Sequence, residues 1–317
     1  MAAATLTPSA IEHSVRQHQE NPASKYALPV DEPEGQRLIS QHWTCKSLFG
    51  GRLVWAPIEF TKDTKVLENA TGTGSKNLLP IRREQLKLIS ILSPGIWLLD
   101  LASSIDPSVE MQGIDIESRL FAKSLPKNIS LRVGNLLSHP ADWTNTFDFL
   151  NQRFLMVALE VPQWPQALNE MLRVLKPGGW VQICEPSAWR DASPDRTRPG
   201  LTTLNALVRA LGAQRNLFLE CGAAMPGLLE AAGFVDVHKE VRSVKMGAWG
   251  GDDGVKQMAN YIDVFRGLKT PILKAGGYGL VSTEAEFDAL IEGLEAELEG
   301  TEGDVLYSIF WARKPIV

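Results

Sequence analysis

The sequence predicts an α/β fold built on a mostly parallel, seven-stranded sheet, with helices on both faces and an inserted helical lid. Two observations lead to this prediction. Short strand-like segments alternate with segments of helical periodicity, an order typical of βαβ units and a parallel sheet. A glycine-rich loop follows the first strand-like segment, and such loops lie where open α/β sheets bind ligands, at the carboxyl ends of the strands.

The predicted elements follow one another in a regular order. We predict seven strands, at residues 64–70, 109–115, 129–133, 147–150, 180–184, 234–237 and 307–311. Between the fourth and fifth strands, residues 164–175 have apolar side chains at helical spacing, and a short helix over 228–232 ends at Gly233. Two more helical stretches, at about 194–222 and 254–298, interrupt the second half, and we expect them to form the lid.

Composition narrows the class of protein. The chain has 317 residues, of which 44% are hydrophobic, and a net charge of -5 without a dense basic stripe, which argues against nucleic acid as the main partner. No signal peptide or membrane-spanning run is recognised, so we expect a cytoplasmic protein with no membrane partner. Cys45, Cys184 and Cys221 are widely spaced and are expected to be reduced thiols, with no metal site.

The glycine-rich loop is the first candidate site. It runs from Glu68 through Ala70 and Gly72 to Gly74, and side chains at the two glycines would block a close backbone approach to a nucleoside cofactor. Free N–H groups of the loop are expected to meet a ligand carboxylate, and Glu68 to take an ammonium group. A glycine-rich turn that binds nothing is the alternative interpretation, because such a loop alone is weak evidence.

Two further motifs follow the second and third strands. Asp115 is expected to accept hydrogen bonds from two ribose hydroxyls, although a helix cap is the alternative. Asn135 is a candidate for the adenine amino group, with Leu136 packed on the ring, and a polar turn residue is the alternative. These positions stand at the ends of neighbouring strands, so they are expected to share one pocket with the glycine loop.

The most specific motif is Leu-Lys-Pro-Gly-Gly at residues 175–179, and its expected role is structural. The proline stops a helix, and the glycines permit the turn into the fifth strand. Together with the glycine loop and Asp115, this turn favours S-adenosylmethionine (SAM) as the cofactor. A dinucleotide-dependent oxidoreductase is a weaker alternative, because the turn has no reason to be present there.

The chain resembles the fungal secondary-metabolism (LaeA-like) class I SAM-dependent methyltransferases, which have a Rossmann-like fold. The resemblance covers about residues 26–315 and is carried by several short motifs: Tyr-Ala-Leu-Pro at 26–29, Leu-Val-Trp-Ala-Pro-Ile at 53–58, Gln-Arg-Phe at 152–154, the turn at 175–179 and Phe-Trp-Ala-Arg-Lys-Pro at 310–315. It implies methyl transfer to a hydroxyl, carboxyl or amine of a small specialised metabolite. It also makes Tyr26 and Arg153 candidates for the cofactor site, although Tyr26 has a packing role as its alternative.

The domain organisation follows from the same reasoning. We predict a disordered tail over residues 1–24 and a single methyltransferase domain over 25–317. Within that domain, residues 25–60 are expected to form an N-terminal lid segment, and residues 190–225 and 245–300 a helical cap. A regulator that keeps the fold but acts on gene expression through protein partners is the alternative function.

Residues 75–95 depart from the family pattern. In the family, Gly-Thr-Gly continues directly into Ile-Trp, whereas here 21 residues separate Gly74 from Ile96. Codons for Ser75-Lys76 can contain a splice donor and codons for Pro94-Gly95 an acceptor, so we hypothesise a retained intron. A genuine surface loop is the alternative, and it would displace the loop from the cofactor.

No catalytic base is assigned from the sequence. Candidates are Glu185, Asp191 and His42, each with a capping or surface role as its alternative. Trp189 is a candidate wall of the acceptor pocket, and Met246 and Trp249 are candidate lid residues. The acceptor and the oligomeric state are left open.

Overall fold

The computed structural model describes residues 16–18, 24–72, 95–118, 121, 125–191, 197–299 and 301–316, with the side chains of 188, 189 and 191 outside this description. Gly74 and almost all of the segment 75–95 therefore lie outside the described residues. The strands are β1 (Lys65–Asn69), β2 (Glu110–Asp115), β3 (Ile129–Val133), β4 (Phe147–Arg153), β5 (Leu175–Asp191), β6 (Val235–Lys245) and β7 (Gly303–Arg313). The α-helices are α1 (Glu32–Leu48), α2 (Ile96–Ala102), α3 (Gln163–Val174), α4 (Pro199–Gln214), α5 (Cys221–Ala231), α6 (Gly251–Lys274) and α7 (Glu284–Glu299).

The seven strands form one sheet in the order β3-β2-β1-β4-β5-β7-β6. Six of them run in the same direction, and β7 is antiparallel to its neighbours β5 and β6. The chain order reverses between β1 and β4, and at such a reversal the helices leave a crevice at the carboxyl ends of the strands. The predicted seven-stranded, mostly parallel sheet is confirmed.

The two faces of the sheet are covered by different helices. Val66 of β1 packs with Trp97 and Leu98 of α2 on one face, whereas its neighbour Leu67 packs with α3 and α5 on the other. This alternation follows from the two-residue period of a strand. In α3, five residues at helical spacing are buried: Trp164, Ala167, Leu168, Met171 and Val174. A third cluster joins α4, α6 and α7 to β7.

Several boundaries differ from the predictions. Helix α3 ends at Val174, because Leu175 is already extended and pairs with Phe147 of β4. The register then jumps to Phe149 and Trp180, so residues 176–179 form a bulge in which Gly178 has a φ of 81°. Helix α5 begins at Cys221, several residues before the predicted start at 228, because two glycines and Pro226 obscure its periodicity.

Residues 16–18, within the predicted tail, are among the described residues. Arg16 forms an ion pair with Asp31, the residue that caps α1, and the backbone N–H of Val30 donates to the carbonyl oxygen of Gln17. The described residues 16–18 thus lie against the start of α1, because a carboxylate is available there. The remainder of residues 1–23 lies outside the described residues. Within the part of the chain that is described, no helix combines the length and apolar character needed to cross a membrane.

Candidate functional site

A pocket opens at the carboxyl ends of β1, β2 and β4, where the strand order reverses. The structure brings together in its wall every predicted cofactor residue that is described: Tyr26, Glu68, Ala70, Gly72, Asp115, Asn135, Leu136 and Arg153. Gly74 was predicted beside them and lies outside the described residues. The wall also includes residues that the sequence did not single out, among them Leu38 of α1, Gly95, Ile116 and Phe154.

Asp115, the last residue of β2, ties the pocket to the glycine loop. Its Oδ2 accepts a hydrogen bond of 2.9 Å from the backbone N–H of Gly72, and its Oδ1 accepts one of 3.1 Å from Glu117. Burial raises the pKa of Asp115 to about 6, although these two hydrogen bonds act in the opposite direction. We expected the backbone N–H of Gly72 to be free for a ligand carboxylate. It already donates a hydrogen bond to the side chain of Asp115.

Glu68 on β1 is buried, with 3% of its surface exposed. Among the described residues its Oε2 has no hydrogen-bond partner, and its Oε1 lies 3.8 Å from Nη2 of Arg153. Burial raises its pKa to about 8, against the attraction of Arg153 and with a smaller contribution from the charge of Asp115. A buried, unpaired carboxylate oxygen is costly, so this atom is suited to receive a cationic ligand group.

Two glycines, Gly113 and Gly134, lie where the strand ends are too close together for a larger residue. A Cβ atom on Gly113 of β2 would lie 2.3 Å from Cγ2 of Thr71 and 2.6 Å from Leu131. A Cβ on Gly134 would lie 2.6 Å from Cδ1 of Ile114. These glycines let the glycine loop, β2 and β3 meet, and they thereby place Asp115 and Asn135 on one pocket wall.

Comparison with known proteins agrees with this geometry. Residues 92–179 match the model of a family described as a methyltransferase domain. The chain is 27% identical to N-methyltransferase verN of Clonostachys rogersoniana, over 98% of this chain and 100% of the relative. It is 25% identical to N-methyltransferase gliN of Aspergillus fumigatus, over 92% and 96%, and 26% identical to secondary metabolism regulator LAE1 of Cochliobolus heterostrophus, over 86% and 84%.

The chain is a SAM-dependent methyltransferase, and over most of its length it is similar to fungal proteins of secondary metabolism that include N-methyltransferases. This confirms the predicted family, enzyme class and cofactor, and the oxidoreductase alternative has no support from the relatives. The pocket of the methyltransferase also fits SAM on its own chemistry. The unpaired Oε2 of Glu68 and the cation of Arg153 suit a zwitterionic amino-acid group, and Asp115 suits a diol.

Tyr26 reaches the methyltransferase pocket from the N-terminal segment. Its hydroxyl donates a hydrogen bond of 2.9 Å to Oε1 of Glu34, and the same carboxylate accepts two hydrogen bonds from the buried Arg37. Arg37 in turn donates to Asn260 of α6 at 3.1 Å. The position of Tyr26 is thus fixed by a buried polar network rather than by apolar packing alone.

The inserted helices cover the pocket indirectly. Its described lining comes from the strand ends and the loops that follow them, the N-terminal segment, α1 and the first residues of α2 and α3, and includes no residue of α4, α6 or α7. These helices lie behind α1, and a Cβ on Gly267 of α6 would be 2.8 Å from Leu28. Met246 is fully buried in their cluster, and Trp249 lies at the surface with Lys245 over its ring, so neither lines the described pocket.

Neither described candidate for a catalytic base is placed to act as one. His42 is 1% exposed, and both of its ring nitrogens are occupied, by Asp100 at 3.0 Å and Arg153 at 3.2 Å. Glu185 accepts hydrogen bonds from the backbone N–H groups of Leu155 and Met156, at 2.8 and 3.2 Å. Both were plausible from sequence because polar residues near strand ends often face a ligand. The side chains of Trp189 and Asp191 lie outside the described residues.

Asn135 is both a turn residue and part of the pocket wall. Its Oδ1 accepts a hydrogen bond of 2.9 Å from the backbone N–H of Leu137, which is the turn role given as the alternative. The residue nevertheless lines the pocket, next to Leu136. A carbonyl oxygen has a second lone pair, so the turn does not prevent Asn135 from contacting a ligand.

Proposed function

We propose that this methyltransferase transfers the methyl group of SAM to a nitrogen atom of a small specialised metabolite. The observation that carries the proposal is the lining of the pocket that contains Glu68 and Arg153. Its lining is mostly apolar, with Val30, Leu38, Phe154, Leu155 and Leu159, beside the polar groups of Tyr26 and Arg153. The names of verN and gliN, both N-methyltransferases, favour nitrogen over oxygen.

We further propose roles for the cofactor residues. Glu68 receives the ammonium group of SAM, and Arg153 its carboxylate, because the Gly72 N–H is already engaged by Asp115. Asp115 accepts from the ribose hydroxyls, since each of its oxygens retains a lone pair. Asn135 and Leu136 contact the adenine, Ala70 and Gly72 supply close backbone, and Tyr26 closes the pocket from the N-terminal segment.

In methyl transfer from SAM, the main role of the protein is to position the acceptor against the methyl group. Bound SAM supplies a methyl group on a sulfonium, which is an activated leaving group. The apolar side chains then exclude water and hold the acceptor in line. A neutral nitrogen has its own lone pair, so it depends less on a strong base than a hydroxyl does. This suits a pocket in which the described Glu185 and His42 are committed to other partners.

Turnover with matched acceptors tests the proposal. Three series of small cyclic compounds that differ only in an amine, an amide or a hydroxyl group are incubated with labelled SAM, and the products are located by mass spectrometry. We expect methylation at nitrogen, and its loss in Asp115→Ala with the fold retained. Methylation only at oxygen would overturn the choice of nitrogen and leave the methyltransferase assignment intact.

The likeness to LAE1 favours a second function, control of secondary-metabolite genes through a protein partner. The two functions differ in what Glu68 and Asp115 must do. A regulator that acts through a partner without turnover would form its complex equally well in the Asp115→Ala variant. An enzyme loses product formation in that variant, so affinity capture and turnover measured on the same pair of proteins separate the two.

A further inference from the structure

The guanidinium of Arg153 lies over the ring of Phe154 and has a single hydrogen-bond partner among the described residues. Among the described residues its guanidinium makes one hydrogen bond, to Nδ1 of His42 at 3.2 Å, and its buried Nε has no partner. The guanidinium lies 3.8 Å from Oε1 of Glu68, which is too long for a hydrogen bond. An arginine beside a buried carboxylate ordinarily closes into a short, bidentate pair. Here the pair is held apart.

His42 is in a protonation state that permits this arrangement. A guanidinium can only donate hydrogen bonds, so Nδ1 of His42 must carry its lone pair toward Arg153. The proton therefore lies on Nε2, which donates to Oδ2 of Asp100 at 3.0 Å. Asp100 also accepts from Lys46 at 2.8 Å.

Burial, assisted by two neighbouring cations, keeps the ring of His42 neutral. Burial lowers the pKa of His42 to about 4, the hydrogen bond to Asp100 raises it, and Arg153 and Lys46 lower it. Although burial alone would raise the pKa of Asp100, the hydrogen bonds from His42 and Lys46 hold it below its usual value. An ionised Asp100 thus fixes the proton on Nε2 and leaves Nδ1 as an acceptor at neutral pH.

We propose that His42 is a positioning residue that holds the Glu68–Arg153 pair open, so that one charge can meet the ammonium and the other the carboxylate of the cofactor. Without the acceptor at Nδ1, Arg153 would move onto Glu68 and form a closed ion pair. The unpaired Oε2 of Glu68 would then be occupied. This inference rests on the cofactor roles proposed above for Glu68 and Arg153.

Two ligands distinguish positioning from a general effect on the fold. S-adenosylhomocysteine has the amino-acid end, and 5′-methylthioadenosine has the nucleoside and sulfur without it. We expect His42→Leu to weaken S-adenosylhomocysteine about tenfold in calorimetry, the size of one lost charge-assisted hydrogen bond, and to leave 5′-methylthioadenosine unchanged. Equal weakening of both ligands would overturn the proposal, because it would indicate a general structural role.

Conservative and double variants complete the test. His42→Asn places an amide oxygen near the position of Nδ1, so it is expected to restore most of the affinity. In an Arg153→Met background, His42→Leu is expected to cause no further loss. Equal losses in the two backgrounds would contradict the proposal. His139→Leu is the control, because His139 is also a buried histidine with its pKa lowered to about 4, and its described side-chain hydrogen bond is to Asn69.

Glu68→Gln separates this inference from the proposed cofactor roles. If that variant binds S-adenosylhomocysteine as well as the wild type does, the ammonium role of Glu68 is wrong, and the inference fails with it. If Glu68→Gln weakens binding but His42→Leu does not, only the positioning role is wrong. Proton release on binding gives an independent readout. A closed pair in His42→Leu would lower the pKa of Glu68, so fewer protons would leave it at neutral pH than in the wild type.

Discussion

Glu68 at the end of β1 and Glu185 on β5 are both buried, but they differ in their hydrogen-bond partners. Glu68 is 3% exposed and Glu185 1%, and burial raises the pKa of each to about 8. Both oxygens of Glu185 accept backbone hydrogen bonds, whereas Oε2 of Glu68 has no partner among the described residues. A raised pKa is therefore common to both carboxylates, and it is the unsatisfied oxygen of Glu68 that supports its proposed role in ligand binding.

The largest expected effect is the loss of stability when Glu185 is replaced. Glu185→Ala leaves the buried N–H groups of Leu155 and Met156 without acceptors and should lower the free energy of unfolding by about 3 kcal/mol. Urea denaturation measures it, with Glu230→Ala on the exposed surface of α5 as the control. A change as small as that of the control would mean that these two hydrogen bonds contribute little.

Glu68→Gln should have the converse effect. We expect the affinity for SAM to fall about 30-fold, because one charge-assisted contact to an ammonium is lost. The unliganded protein should be as stable as the wild type or more so near pH 8, since the raised pKa of Glu68 means that its ionisation in the fold is unfavourable. Glu185→Gln is the matched control, expected to lose stability and to change affinity less. The reverse pattern in the two variants would contradict the comparison.

The sequence could predict the sheet and most of the cofactor wall because both depend on local pattern. The seven strands follow from apolar runs and turn residues, and Asp115 and Glu68 follow from their places at strand ends. The engagement of Gly72 by Asp115 could not be predicted, because it joins residues 43 positions apart. The pairing of His42 with Asp100 and Arg153 is equally nonlocal, so the sequence could not show that the candidate bases His42 and Glu185 already have hydrogen-bond partners.

The next largest effect concerns the segment 75–95. This segment follows the glycine loop, so we expect it to affect the pocket around Glu68 rather than the surroundings of Glu185. Gly72 and Gly95 line the same pocket, and a Cβ on Gly113 would contact both Thr71 and Leu98. The described residues on the two sides of the segment are therefore close in space, which favours a direct connection between them. Because residues 74 and 95 are both glycines, removal of 75–95 or of 74–94 leaves the same sequence. Gly95, with a φ of 66°, then stands for the glycine that precedes Ile96.

We therefore expect the protein without residues 75–95 to bind SAM about tenfold more tightly, because a short loop loses less conformational freedom when it closes on a ligand. Calorimetry on the two proteins measures the difference, and sequencing of the transcript shows which form is made. Affinity that is equal or weaker without the segment would indicate that it belongs to the native enzyme.

The smallest effect is a difference in pH dependence, which tests both glutamates at once. The folded pKa of each is raised above its unfolded value, so each contributes stability below about pH 4.5 that is lost as the pH rises through about 8. His42 and His139, whose pKa values are lowered to about 4, act in the opposite direction below pH 6.5. The difference in the free energy of unfolding between the wild type and each Gln variant isolates the carboxyl group, and it should change by less than about 1.4 kcal/mol per pH unit.

Saturating SAM should abolish this pH-dependent difference for Glu68→Gln, because an ammonium partner stabilises the ionised carboxylate of the wild type. It should leave the difference for Glu185→Gln unchanged, since that carboxylate is bound to the backbone. Urea midpoints from pH 5 to 8, with and without SAM, measure both, and an equal response of the two variants to SAM would show that the glutamates do not differ in function.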